Sequence, residues 1–101
     1  EALGLKPRGV TCEEINGILD EGKEIMSEVE DAQVRDAGLI AAAQAVEHYE
    51  ITRYGTLIAF SRKLGHDKKV ETLLMANLDQ EYAADKSLSK LGEGTLNAKA
   101  A

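Results

Sequence analysis

Aromatic residues are scarce in this chain, and tryptophan is absent. One Phe and three Tyr make up 4% of 101 residues, so the core must be built from Ala, Leu, Ile and Val, a set that suits helices. The one proline, Pro7, leaves the chain almost free of helix breakers, and no stretch alternates in the two-residue period of a strand. The one cysteine, Cys12, excludes an internal disulfide and fits a reducing compartment, so a cytoplasmic location is expected. No apolar run approaches the roughly 18 residues of a membrane-spanning helix, and no signal-peptide pattern is visible. Positive charge is in short supply too. With 12 Lys and Arg against 18 Asp and Glu, the net charge is −6, which argues against nucleic acid or an anionic membrane as partner. There is no initiator methionine, and Leu3-Gly4 reads like the capped end of a helix, so the chain is expected to be part of something longer. A length of 101 residues fits one domain with a modest core.

What the chain does have is helical periodicity. Residues 1–10 read as a loop. Thr11-Cys12-Glu13-Glu14 matches a capping box, with Thr11 as N-cap. A short helix over about 12–28 then carries Ile15, Ile18, Leu19, Gly22, Ile25, Met26 and Val29 on one side and acids on the other. Asp31 is placed to cap a long helix over about 32–64, which Gly65 ends; Asp67 caps a second long helix over about 67–91, before Gly92. Residues 93–101 show no periodicity and are expected to be a flexible tail. Together these elements predict an all-α fold in which the two long helices pair antiparallel and the short helix packs outside them.

Acids interrupt both long apolar stripes. The first stripe runs Ile40, Ala43, Glu47, Glu50 or Ile51, Tyr54, Ile58; the second runs Val70, Leu74, Leu78, Glu81, Asp85, Leu88, Leu91. Folding the chain about His66 sets Glu50, 16 residues before it, beside Glu81, 15 after; Glu47 and Asp85 each lie 19 away. Four carboxylates would then meet at two adjacent levels. Like charges that close repel, so some must protonate or bind a cation, and oxygen-rich clusters between facing helices hold divalent metals in bundles. The plainer alternative is a polar edge bonded to Tyr49, Arg53, Tyr54 or water. His48 stands one step off the stripe and is expected to be exposed or an outer partner, with His66 in the turn. Tyr54 is read either as a hydrogen-bond partner of a ligand carboxylate or as a core aromatic, and Cys12 as structural. The acids Glu21, Glu24, Glu28, Glu30 and Asp31 are most simply a solvated face. No nucleophile–base pair, phosphate loop or zinc spacing appears.

The block Ala41-Ala42-Ala43-Gln44-Ala45-Val46-Glu47-His48-Tyr49-Glu50-Ile51, followed by Tyr54-Gly55-Thr56-Leu57 and later by Leu78-Asp79-Gln80-Glu81, Asp85 and Leu88, resembles the YciE/YciF family of ferritin-like stress proteins. The resemblance covers nearly all of residues 1–92. It implies a ferritin-like helical bundle of which this chain carries the short helix and the last two long ones. It also implies Glu50 and Glu81 as central metal ligands and Glu47 and Asp85 as a second layer. The usual Glu-x-x-His pair is missing, because Ala84 stands three residues after Glu81. The expected cofactor is therefore one or two iron or manganese ions held by oxygen, and the expected role a stress response that handles oxygen or peroxide. The alternative is a non-enzymatic structural or interaction protein with a vestigial site. Two long helices cannot enclose a core, and Leu39, Val46, Leu57, Phe60, Leu73 and Leu78 would face water. A homodimer that completes the bundle is the expected assembly.

Overall fold

The computed structural model describes residues 2–101, and among them there are helices and no strand. Helix α1 spans Glu13–Glu28, α2 spans Ala32–Leu64 and α3 spans Lys68–Leu91; a π-helical turn, Gly92–Leu96, then leads into a last helical turn, α4, over Asn97–Ala100. This is an all-α fold built on one long antiparallel pair, α2 and α3, with α1 laid against the outer side of α2.

Each boundary of the long pair has a local cause. The Asp31 carboxylate accepts from the backbone N–H groups of Gln33 and Val34 at 2.9 and 3.0 Å, satisfying donors that the helix leaves free. At the other end Gly65 takes the left-handed conformation, φ 70°, and its N–H returns to the carbonyl of Arg62, while His66 N–H returns to Ser61. Asp67 accepts from Lys69 N–H at 2.8 Å and starts α3 at once. Arg62 closes the turn by donating to Glu71 at 3.0 and 2.6 Å. Glu71 is mostly sheltered there, and the guanidinium holds its carboxyl below the usual carboxylate range.

Two expected ends differ in the structure. Helix α1 is capped by the extended backbone of Cys12 without any side-chain capping bond, so Thr11 and Glu14 form no capping box. Glu14 is instead drawn to Cys12 Sγ, 3.5 Å away, and to Arg53, 3.7 Å away. Gly92 does not stop α3. Its backbone stays in the right-handed helical region, φ −67° and ψ −51°, and the chain widens into the π-turn that packs against α2. Having no Cβ matters here: one would come within 3.2 Å of the Asn97 amide and 3.6 Å of Ile40.

Close approach of α1 to α2 rests on two glycines. Gly22 faces Ala42, and a Cβ on Gly38 would stand 3.1 Å from Ile25 Cγ2. Because Cys12 reaches Tyr49, the two helices run antiparallel. At 33 residues and about 1.5 Å of rise per residue, α2 is as long as the molecule, whose greatest extent is 50 Å.

Enclosure is sparse. Among the described residues, only the side chains of Ile58 and Ser61, each 5% exposed, are buried. Leu57, Phe60 and Leu73 are exposed, as anticipated, whereas Leu39 and Val46 are partly covered by Ile18 and Met26 of α1, and Leu78 is partly covered as well. Among the described residues, no helix is long and apolar enough to cross a membrane.

Gly38→Val should lower the stability of the fold by about 1–3 kcal/mol, because the branched side chain has to displace Ile25. Urea unfolding followed by circular dichroism measures it; an unchanged midpoint would mean that α1 is not held as closely as described.

Candidate functional site

The seam between α2 and α3 carries the polar groups of interest, in two separate sets. The first set is Glu47, Glu50, Tyr54 and Glu81. Steps of three and four place Glu47, Glu50 and Tyr54 on the same side of α2, facing α3. Glu47 and Glu81 meet within hydrogen-bonding reach. A hydrogen bond between two carboxyls requires a proton on one of them, and Glu81 is the one that holds it. Its contact with Glu47, its burial and the Glu47 charge together push its pKa up to about 7. Oε2 of Glu47 is enclosed, and no hydrogen-bond partner among the described residues is assigned to it. The proton on Glu81 is thus the favourable contact at hand for that carboxylate. Burial and the nearby charges of Glu50 and Glu81 raise the pKa of Tyr54, which keeps its phenol neutral and able to donate.

The second set is Gln44, His48, Asp85 and Ser89. His48 Nε2 lies 2.8 Å from Asp85 Oδ1, and Gln44 Nε2 donates to the same oxygen at 3.3 Å and to Ser89 Oγ at 2.8 Å. His48 is exposed and Asp85 partly sheltered. The register expected from the turn is nearly kept, since Gln44–Ser89, His48–Asp85 and Arg62–Glu71 lie almost equally far from it, but the acids that meet differ. Glu81 pairs with Glu47 as well as lying near the Tyr54–Glu50 edge, and Asp85 answers to His48 and Gln44 instead of Glu47. Counting residues from the turn cannot resolve a shift of one helical turn, about 5.4 Å, which is also the reach of a glutamate. Among the described residues, no three Asp, Glu, His or Cys side chains stand together as a group that could hold a metal ion.

A third contact set ties α1 to α2. Cys12 Sγ lies 3.2 Å from the Tyr49 hydroxyl, Arg53 Nε donates to that hydroxyl at 3.0 Å, and the guanidinium sits over the Tyr49 ring at 5.0 Å. The contact with Cys12 raises the pKa of Tyr49 more than the Arg53 hydrogen bond lowers it. Cys12 thus joins the start of α1 to the middle of α2 through Tyr49. Gln44 and Ser89 went unnoticed in the sequence. Gln44 is the one polar residue in a run of alanines and precedes His48 by one turn, and that is the signal that could have marked it.

A long antiparallel helical hairpin with a third helix laid against it defines the class, an all-α helical bundle. All of residues 1–101 match the family described as DUF892, a domain of unknown function, and the chain belongs to that family. Protein YciF of Escherichia coli K12 is 43% identical over 96 residues, which cover 95% of this chain and 57% of that protein. The crystal structure of the E. coli stress protein YciF superposes with a TM-score of 0.84 at 41% identity, covering 93% of this chain and 58% of that one. YcfI of Rhodopseudomonas palustris, proposed to be a structural protein, superposes with a TM-score of 0.82 at 50% identity, covering 86% and 55%. The chain thus spans little more than half the length of these relatives.

The carboxyl pair has a pH signature. Unfolded Glu81 loses its proton near 4.5, the folded residue near 7, so the folded state holds the extra proton between those values. Stability should fall as pH rises from about 4.5 to about 7 and then level off. Glu81→Gln, which cannot ionise, should flatten that slope and raise the melting temperature above neutral pH. A slope that persists in the variant would show that another group causes it.

Proposed function

We propose that this chain is the metal-holding helical part of a stress-response protein of the YciF kind, with Glu47 and Glu81 as the carboxylates that grip an iron or manganese ion. The observation that carries this reading is the enclosed Glu47 oxygen, which has no donor among the described residues, set against a neighbouring carboxyl whose pKa the Glu47 contact and burial raise. A divalent cation would replace that proton and relieve both groups. The donor set fits: hard carboxylate oxygens suit manganese and iron(II). Two carboxylates do not complete a coordination sphere of about six oxygens, so further ligands come from helices beyond this pair. Glu50, whose charge acts on Tyr54 as that of Glu81 does, is a further carboxylate on this side of α2, and Asp85 would join only by leaving His48.

A metal bound there would supply redox chemistry toward oxygen or peroxide. The chain's own residues do the rest. Glu81 gives up its proton on loading, Glu47 supplies the enclosed oxygen, and Tyr54 offers a neutral hydroxyl to the carboxylate edge. The name stress protein belongs to the E. coli relative and lends this role its context. A second reading is a structural protein, as proposed for YcfI. It is favoured by the His48–Asp85 pair, which engages one acid of the seam without any metal.

Manganese(II) titration followed by melting temperature separates the two. At a hundred times Kd, manganese should stabilise the protein by about 2.7 kcal/mol. Glu81→Gln should abolish the gain and Tyr54→Phe should weaken binding by roughly tenfold. A melting temperature that ignores both manganese(II) and iron(II) would leave the structural reading in place.

A further inference from the structure

Asp85 stands one helical turn after Glu81 and so shares its side of α3, yet the acid that Glu81 meets is Glu47. Two side chains of α2 hold Asp85 elsewhere. His48 Nε2 lies 2.8 Å from Asp85 Oδ1, and Gln44 Nε2 donates to the same oxygen at 3.3 Å. Gln44 is itself fixed, because its amide also donates to Ser89 Oγ at 2.8 Å. Gln44 and His48 are one turn apart on α2, and Asp85 and Ser89 one turn apart on α3, so these contacts form two adjacent rungs between the helices. With Asp85 held there, no three acidic, histidine or cysteine side chains among the described residues gather into a group fit for a metal ion.

We infer that Gln44 and His48 form a latch that holds Asp85 off the cation gripped by Glu47 and Glu81, and that Asp85 turns onto the cation when the latch opens. This rests on the proposed metal site and concerns how the chain controls it. Charge supplies the reason for a latch. Without a cation, Asp85 turned toward Glu81 would set a third carboxylate beside two that already repel, and the donors on α2 draw it away. With a hard divalent cation at the pair the balance reverses. Asp85 then has a positive partner, and one more carboxylate oxygen to offer it. Geometry supplies the means. Side chains one turn apart on a helix are neighbours, about 5–6 Å between Cβ atoms, so a change of rotamer carries Asp85 across without moving α3. His48 is 62% exposed, so its ring is released into water and leaves no cavity. A hydrogen bond to a charged group changes an equilibrium constant roughly ten- to a hundredfold. The exposure of His48 puts the latch at the low end, about tenfold in affinity for a cation that has to open it.

Calorimetric titration of the metal-free, full-length protein with manganese(II) tests the latch. His48→Phe should bind manganese about ten times more tightly than the unaltered protein. Gln44→Leu, which removes the longer bond, should tighten binding by less, and it decides the matter if His48→Phe does not fold. Before manganese is added, both variants should melt below the unaltered protein, because each loses a bond across the seam. The gain should vanish when Asp85→Asn is combined with His48→Phe, since a neutral amide is the poorer ligand for the cation. Weaker binding by His48→Phe overturns the inference, because His48 would then hold the cation or support its ligands. Unchanged affinity in both variants overturns it too, as does a gain that survives Asp85→Asn. In each of those outcomes manganese still binds and the metal reading stands. Manganese bound by none of these proteins overturns the metal reading and the latch together.

Discussion

Two carboxylates in contact repel one another when both are charged, and that constraint governs the seam between α2 and α3. Glu47 and Glu81 are brought together by the pairing of two long helices. The electrostatic strain is met by a proton held up to about pH 7. The pair is therefore a place where folding and protonation are coupled.

Everything else in the chain serves to bring that seam into register. The left-handed Gly65, the Asp67 cap and the Arg62–Glu71 pair make a turn tight enough to set α3 directly beside α2. At the far end the π-turn and α4 keep the chain on α2 past the point where a glycine would ordinarily release it. The outer helix α1 is held by Gly38, Gly22 and the Cys12–Tyr49–Arg53 contacts, and covers one flank of α2 only. Among the described residues, Ile58 and Ser61 are the enclosed side chains, where a self-sufficient bundle would have many. The membership in the DUF892 family and the relatives' greater length fit a unit that shares its core with further helices.

Residue types and their spacing by themselves determined the helices, their caps at Asp31, Gly65 and Asp67, the antiparallel pairing and the placing of acids in the apolar stripes, because all of these follow from short-range geometry and period. The family, too, was legible in the block from Ala41 to Leu57. Only the tertiary structure decided which acid meets which. Which side chains meet at a given level depends on the direction each takes across the seam, so Glu47 went to Glu81, and Asp85 went to His48 and Gln44. The start of α1 and the end of α3 were likewise settled by contacts remote in sequence: Glu14 is drawn toward Arg53, and Gly92 lies against Ile40. A local motif such as Thr11–Glu14 loses to such contacts because a cap contributes only about 1 kcal/mol, which one competing side-chain pairing can offset.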